Sequence, residues 1–251
     1  PPSDAAIKRT LKTVGFNRLK LQTDCIIKKA AVEVDLSSIA KGFAVDAVAH
    51  YLRSQGIDNF LVEIGGEIYA AGEKLALRPW LSKSDWRIKI EQPFNSEINP
   101  FAQTGIAALQ EGTLVLNDVA IATSGDYRNF FEYEGNRYSH TIDVRNGYPV
   151  QHNVASVSVI ADTAAVADAW ATALNVMAPE QIKQLAKEQN LAVFIITRET
   201  LKPSDDIQVA TEVGAEAATD VKEKTKVETK TETETKIETW HSEAFQSFIS
   251  E

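Results

Sequence analysis

The stretch from Thr163 to Met177 constrains this chain more than any other. It reads TAAVADAWATALNVM, and Asp168 is its one charged residue. A helix that is apolar on every side must be enclosed on every side. The sequence therefore predicts a buried helix, and a large core to bury it. With 251 residues, 44% of them hydrophobic, the chain can build that core as one big domain or two small ones.

The rest of the chain supplies the layers. A short helix is expected from Asp4 to Val14, followed by two strand-like runs before residue 34. A second helix opens after Asp35-Leu36-Ser37-Ser38, with Ser37 or Ser38 as its cap and Gly56 as its stop. Its apolar positions Phe43, Ala44, Ala47, Val48, Tyr51 and Leu52 recur at helical spacing. Strands are expected at Phe60 to Ile64 and Glu67 to Ala71 around Gly65-Gly66, and at Trp86 to Glu91. From 105 to 160 the sequence is strand-rich: Thr113 to Asn117, Ala120 to Thr123, Asn129 to Tyr133, Tyr138 to Ile142 and Val154 to Ala161, with a hairpin turn at Glu134-Gly135-Asn136. Pro179 starts a further helix to Gln189, and Leu191 to Thr197 reads as a last core strand. Strands and helices do not alternate regularly, so the fold class expected is α+β: a mixed, largely antiparallel sheet with packed helices.

Composition excludes several classes. The net charge is −9, the wrong sign for a nucleic-acid partner. Four His and one Cys, Cys25, leave no disulfide scaffold, zinc ribbon or Cys-based cluster. No apolar run reaches the roughly 18–20 residues that a spanning helix needs.

One segment differs in kind. Between Val221 and Thr239, Lys, Glu and Thr fill sixteen of nineteen positions. Such a stretch buries too little apolar surface to order itself. The organisation expected is a core over 1–202, a low-complexity insertion over 203–238, and a C-terminal segment over 239–251. In that last segment Trp240, Phe245, Phe248 and Ile249 pack back on the body.

Three places can carry chemistry. Asp168 and Thr172 lie four apart on the enclosed helix and so share a face. A carboxylate there is costly unless it is paired or binds a cation. Two hard oxygens suit Mg²⁺ or Ca²⁺, and a network with Lys, Arg or a backbone amide is the alternative. The turn from Asp35 to Gly42 leads into a helix N-terminus, where free amides and Lys41 favour an anion, although a plain capped helix fits as well. No Walker A and no G-x-G-x-x-G motif is present. Gly65-Gly66 is either a close approach to a ligand or a simple turn. His140, in Tyr138-Ser139-His140-Thr141-Ile142-Asp143, is either a general base or a structural histidine.

Taken in order, these runs resemble one family. Asp35 to Asp46, Val62 to Ile68, Ala122 to Tyr127, Tyr138 to Asp143 and Ala167 to Leu174 are together similar to the signature of the ApbE-type flavin transferases, over about residues 30–200. The resemblance implies an ApbE/T-fold-like core and a transferase that moves FMN from FAD to a Thr or Ser hydroxyl of a target protein, releasing AMP. It implies Mg²⁺ held by the Asp168 and Thr172 side chains with main-chain carbonyls at Ser38 and Ala171. Flavin contacts are implied at Asp35, Lys41 and Ile142, and a role in phosphoryl transfer at His140. The implied partners are FAD and an acceptor flavoprotein subunit of a redox complex. The implied place is the bacterial periplasm or the outer face of the inner membrane. Family members also carry an N-terminal section ahead of the equivalent of Pro1, which contributes to the flavin pocket, so a membrane link is expected only through an anchor there. FAD hydrolysis to FMN and AMP, non-catalytic flavin binding, and a bland interaction domain are the rival readings.

Overall fold

The computed structural model describes residues 2–29, 31–74, 84–90, 113–125, 130–133, 136–139, 141–200 and 235–250. His140, most of the 203–238 insertion and the turn residues Glu134 and Gly135 lie outside the described residues.

Helix α1 (Asp4–Leu11) is capped by the Ser3 hydroxyl and precedes a small hairpin of β1 (Leu19–Leu21) and β2 (Ile26–Lys28). Helix α2 (Ala40–Ser54) follows, then β3 (Phe60–Ile64) and β4 (Glu67–Ala71). The turn between these two strands places Gly65 and Gly66 at φ +63° and +99°, a backbone region that other residues rarely adopt. Strands β5 (Trp86–Ile88) and β6 (Leu114–Leu116) pair with each other, and β7 (Val119–Gly125) returns to the main sheet. Two hairpins come next: β8 (Phe130–Tyr133) with β9 (Asn136–Ser139), and β10 (Ile142–Asp143) with β11 (Tyr148–Pro149). Then come β12 (Val154–Ala161), α3 (Ala164–Leu174), α4 (Pro179–Glu188), β13 (Ala192–Thr200), β14 (Thr235–His241) and α5 (Glu243–Gln246).

The main sheet has six strands in the order β14-β13-β12-β7-β4-β3, and every neighbouring pair is antiparallel. The fold is α+β, as expected, with a fully antiparallel sheet in place of a mixed one. Strand parity sorts the core into two layers. Along β13, Phe194 and Ile196 join Leu114, Leu116 and Phe245 on one face, whereas Val193 and Ile195 face α3 and α4 on the other. Helix α3 buries one face, where Ala164, Ala167, Ala171 and Leu174 are all fully buried, but it is not covered all round: Val166 on its other side is 48% exposed. Phe245 stacks on Phe194 with ring centroids 5.6 Å apart, and Trp240, Phe248 and Ile249 pack on the same body.

Three local expectations are corrected. Helix α2 buries Gly42, Val45 and Ala49, while Phe43, Val48 and Tyr51 face outward. Its apolar residues ring the helix, so spacing alone does not choose the inner face. Neither serine hydroxyl caps it. The Leu36 carbonyl accepts the Ile39 and Ala40 amides, and the Asp35 carboxylate accepts the Ser37 amide at 2.8 Å. The single strand expected from Tyr138 to Ile142 is split between β9 and β10; at the break the Thr141 amide donates to the Ser139 hydroxyl at 3.1 Å. Strand β14 also begins at Thr235, so residues 235–238 belong to the sheet.

Thr200 pairs with Thr235 at the open end of the β13–β14 ladder. Antiparallel neighbours need only a two-residue turn to connect them. Replacing residues 201–234 with a four-residue Asn-Gly turn should leave the melting temperature unchanged or slightly higher, since a shorter loop costs less entropy to close. A drop of more than about 5 °C, which in a domain this size is ~1–2 kcal/mol, would show that the segment contributes packing.

Candidate active site at the α2–α3 junction

Helices α2 and α3 meet backbone to backbone. A Cβ on Gly42 would lie 2.2 Å from the Ala164 carbonyl oxygen, so only a hydrogen fits there. The contact brings the Gly42 amide to Asp168 Oδ2 at 3.0 Å. Four residues on, Asp46 accepts the Ala164 and Ala165 amides at 2.7 and 2.8 Å, and Thr163 accepts the Val166 amide at 3.3 Å. These amides are the free donors of the first turn of α3, and a carboxylate there also complements the helix dipole. Helix α2 thus holds α3 at its N-terminus and at the Asp168 carboxylate.

Asp168 is 2% exposed, and among the described residues its hydrogen bond comes from that one amide. One turn further, the Thr172 hydroxyl lies 3.1 Å from Ser124 Oγ on β7. Ser124 shares strand parity with Ala122, which packs beneath α3. The Ala171 carbonyl already accepts the Asn175 amide at 3.0 Å, an ordinary helical bond. A buried carboxylate with one amide partner and neighbouring hydroxyls is a hard-oxygen donor set that fits Mg²⁺. No group of three or more His, Cys, Asp or Glu is assembled among the described residues, which points away from an all-protein cage.

Beside Asp168 stands a second enclosed acid. Glu67, just after the Gly65-Gly66 turn, is 1% exposed. Its Oε1 takes the Lys41 ammonium at 2.5 Å, while its equally buried Oε2 has no partner. Burial pushes the Glu67 carboxyl above the usual carboxylate range; the Lys41 ammonium opposes that shift and the Asp168 charge adds to it.

Of the residues singled out in the sequence, Lys41, Asp168, Ala171 and Thr172 come together at this junction. Asp35, fully exposed, and Ser38, half-buried, stand on the turn that enters α2. The Ser37 amide, then its hydroxyl, hold the Asp35 carboxyl below its ordinary value. Ile142, 45% exposed, is carried by the separate β10–β11 hairpin. On that hairpin Asp143 accepts two bonds from the Arg145 guanidinium side, at 2.9 and 2.8 Å, and the Arg145 amide at 2.9 Å. Helix α1 leans on its turn: Tyr148 donates to Asp4, and Ile7 and Leu11 border Gly147. A cavity of about 400 Å³ lies between the hairpin and the start of α4, lined by Arg145, Tyr148, His152, Val176 and Gln181 among others.

A model of the ApbE family matches residues 1–195. The chain belongs to the ApbE family. It is 42% identical over 190 residues to a FAD:protein FMN transferase of Haemophilus influenzae, covering 74% of this chain and 51% of that relative. Against the FAD:protein FMN transferase of Vibrio cholerae the identity is 39% over 198 residues, covering 78% and 54%. The apo flavinyl transferase ApbE of Pseudomonas stutzeri shares the fold with a TM-score of 0.66 at 37% identity, over 79% of this chain and 56% of that one. The flavin transferase ApbE from Vibrio cholerae gives 0.68 at 32% identity, over 98% and 63%. The chain spans about half the length of the curated ApbE-family relatives it matches.

Sequence reasoning gave no role to Glu67, Asp46 or Ser124. Each lies inside a family-like run, yet its partner is far away in sequence: Lys41, the α3 amides and Thr172. A charged residue heading a strand whose later positions are apolar is the one clue Glu67 left.

Two outcomes follow from this geometry. Gly42→Ala forces the helices apart and should destabilise the chain by the ~1–3 kcal/mol typical of overpacking; thermal unfolding checks it, with an unchanged midpoint as the contrary result. The Arg145 guanidinium holds the Asp143 carboxyl below its ordinary value, while burial opposes it. A lowered folded value means stability that is present above the unfolded Asp value and lost as pH falls through the folded one. Asp143→Asn should therefore lower the melting temperature at pH 7, and the gap from wild type should narrow as pH falls below the ordinary Asp value and through the lower folded one.

Proposed function

We propose that this chain carries the catalytic part of a Mg²⁺-dependent FAD:protein FMN transferase. The observation that supports this most is the enclosed Asp168–Thr172 pair, held by the Gly42 amide, in a chain of the ApbE family. Asp168 and Thr172 would hold the cation, with main-chain carbonyls at Ser38 and Ala171 completing the set. Bound there, Mg²⁺ would draw charge from the FAD diphosphate and ease departure of AMP. Lys41, paired with the neighbouring Glu67, adds a half-exposed positive charge, and Asp35 and Ile142 are the proposed flavin contacts. His140 would take the proton from the acceptor Thr or Ser hydroxyl. The hydroxyl oxygen then bonds to the FMN-side phosphorus, the P–O bond to AMP breaks, and the electron pair leaves with AMP. The acceptor would be a flavoprotein subunit of a redox complex, encountered in the periplasm or at the outer face of the inner membrane.

Asp168→Asn keeps the shape but removes the charge that offsets the cation. It should abolish Mg²⁺-dependent AMP release while the chain stays folded. His140→Ala should slow transfer by ~10²–10⁴-fold with FAD binding little altered. Incubation with FAD and Mg²⁺, with and without an acceptor protein, checks both. Free FMN would mark a hydrolase, binding without AMP would mark a non-catalytic flavin protein, and no flavin binding at all would leave an interaction domain.

A further inference from the structure

We propose that Glu67 is a positioning residue for FAD, acting through Lys41; this rests on the flavin-transferase reading above. The starting point is a cost without a structural return. A glutamate that is 1% exposed, with one oxygen unpartnered, is an expensive way to fill space beneath a turn. An apolar side chain or a glutamine would fill it with less penalty. What the carboxylate does accomplish is to draw the Lys41 ammonium against it at 2.5 Å.

The surroundings give that ion pair a direction. The Gly65-Gly66 turn lies along the lysine stem: a Cβ on Gly65 would be 3.2 Å from Lys41 Cδ and 3.6 Å from Glu67 Oε2. The residue after Lys41 donates its amide to Asp168. The Lys41-Gly42 dipeptide therefore bridges both enclosed acids, with its ammonium on one and its amide on the other. Lys41 keeps 47% of its side-chain surface, so the ammonium is anchored yet open to an incoming anion. Glu67, Lys41 and Asp168 together carry one net negative charge. A divalent cation turns that into one net positive charge, the sign needed to hold a diphosphate. Without Glu67 the flexible lysine would spread over many rotamers, and the charge would be delivered to no fixed place.

The test uses Glu67→Gln and Lys41→Met, singly and together, with three measurements on the whole chain. First, without FAD, acetylation by an N-hydroxysuccinimide ester is mapped by mass spectrometry. Freed from its partner, Lys41 should label roughly two- to fivefold faster in Glu67→Gln relative to the other lysines, the range expected for an ion pair of this exposure. Second, FAD affinity with Mg²⁺ present should fall about five- to tenfold in Glu67→Gln, and the double variant should be no weaker than Lys41→Met alone. Third, the melting temperature of Glu67→Gln should hold or rise, because a buried charge is removed; a purely structural glutamate would lower it. Unchanged Lys41 labelling, or losses from the two substitutions that multiply in the double variant, would overturn the inference. Failure of the underlying flavin reading looks different: the wild-type chain itself would bind no FAD, which also removes the ligand named here.

Discussion

The structure depends on one contact between two helices. Where α2 crosses α3 the backbones touch, and Gly42 is what allows it. That approach lets a main-chain amide reach a carboxylate on the neighbouring helix, and lets Asp46 take the first amides of α3. Neither bond survives if the helices stand an ångström further apart, because hydrogen bonds weaken quickly with distance. The orientation of Asp168 and Thr172 is therefore set by α2 as much as by the helix that carries them. It is set by main-chain groups, which have no rotamers to lose.

Around that contact the molecule tolerates charge that a plain core would not. Asp46 is fully used, with both oxygens accepting amides. Glu67 is enclosed with Oε2 unpartnered among the described residues, and Asp168 is enclosed with the Gly42 amide donating to it. Natural proteins depart from complete pairing mainly where function asks for it. The saturated Asp46 and the half-paired Glu67 a short way off thus differ on physical grounds. The Asp143–Arg145 pair belongs with the first kind: it closes a turn, and its charges neutralise each other.

Much of this was legible in the sequence, and the illegible parts share a cause. The burial of one face of α3 followed from its composition, and β13 and the Gly65-Gly66 turn followed from residue type. Asp168 and Thr172 stood out because four residues make a helical neighbour. Helix α2 was located correctly, but its inner face was not among the apolar positions read from the sequence: it is apolar nearly all round, and two of the three residues that pack, Gly42 and Ala49, are small and carry little hydrophobic signal. Glu67 went unread because its significance lies in Lys41, twenty-six residues earlier and on another element. Spacing rules describe neighbours along one helix or strand; they do not reveal which elements will touch.

The last strand of the sheet has a consequence of its own. An edge strand offers unpaired amides and carbonyls to any other strand that comes near, and long apolar edges invite fibres. Here that edge is β14, drawn from the Lys-, Glu- and Thr-rich stretch, where Ile237 turns partly inward while Glu238 and Thr239 face out. That composition gives the sheet a polar border, with Glu238 and Thr239 exposed along it. A second copy laid against it would have to strip water from its own charges, so the border guards the chain against stacking into aggregates.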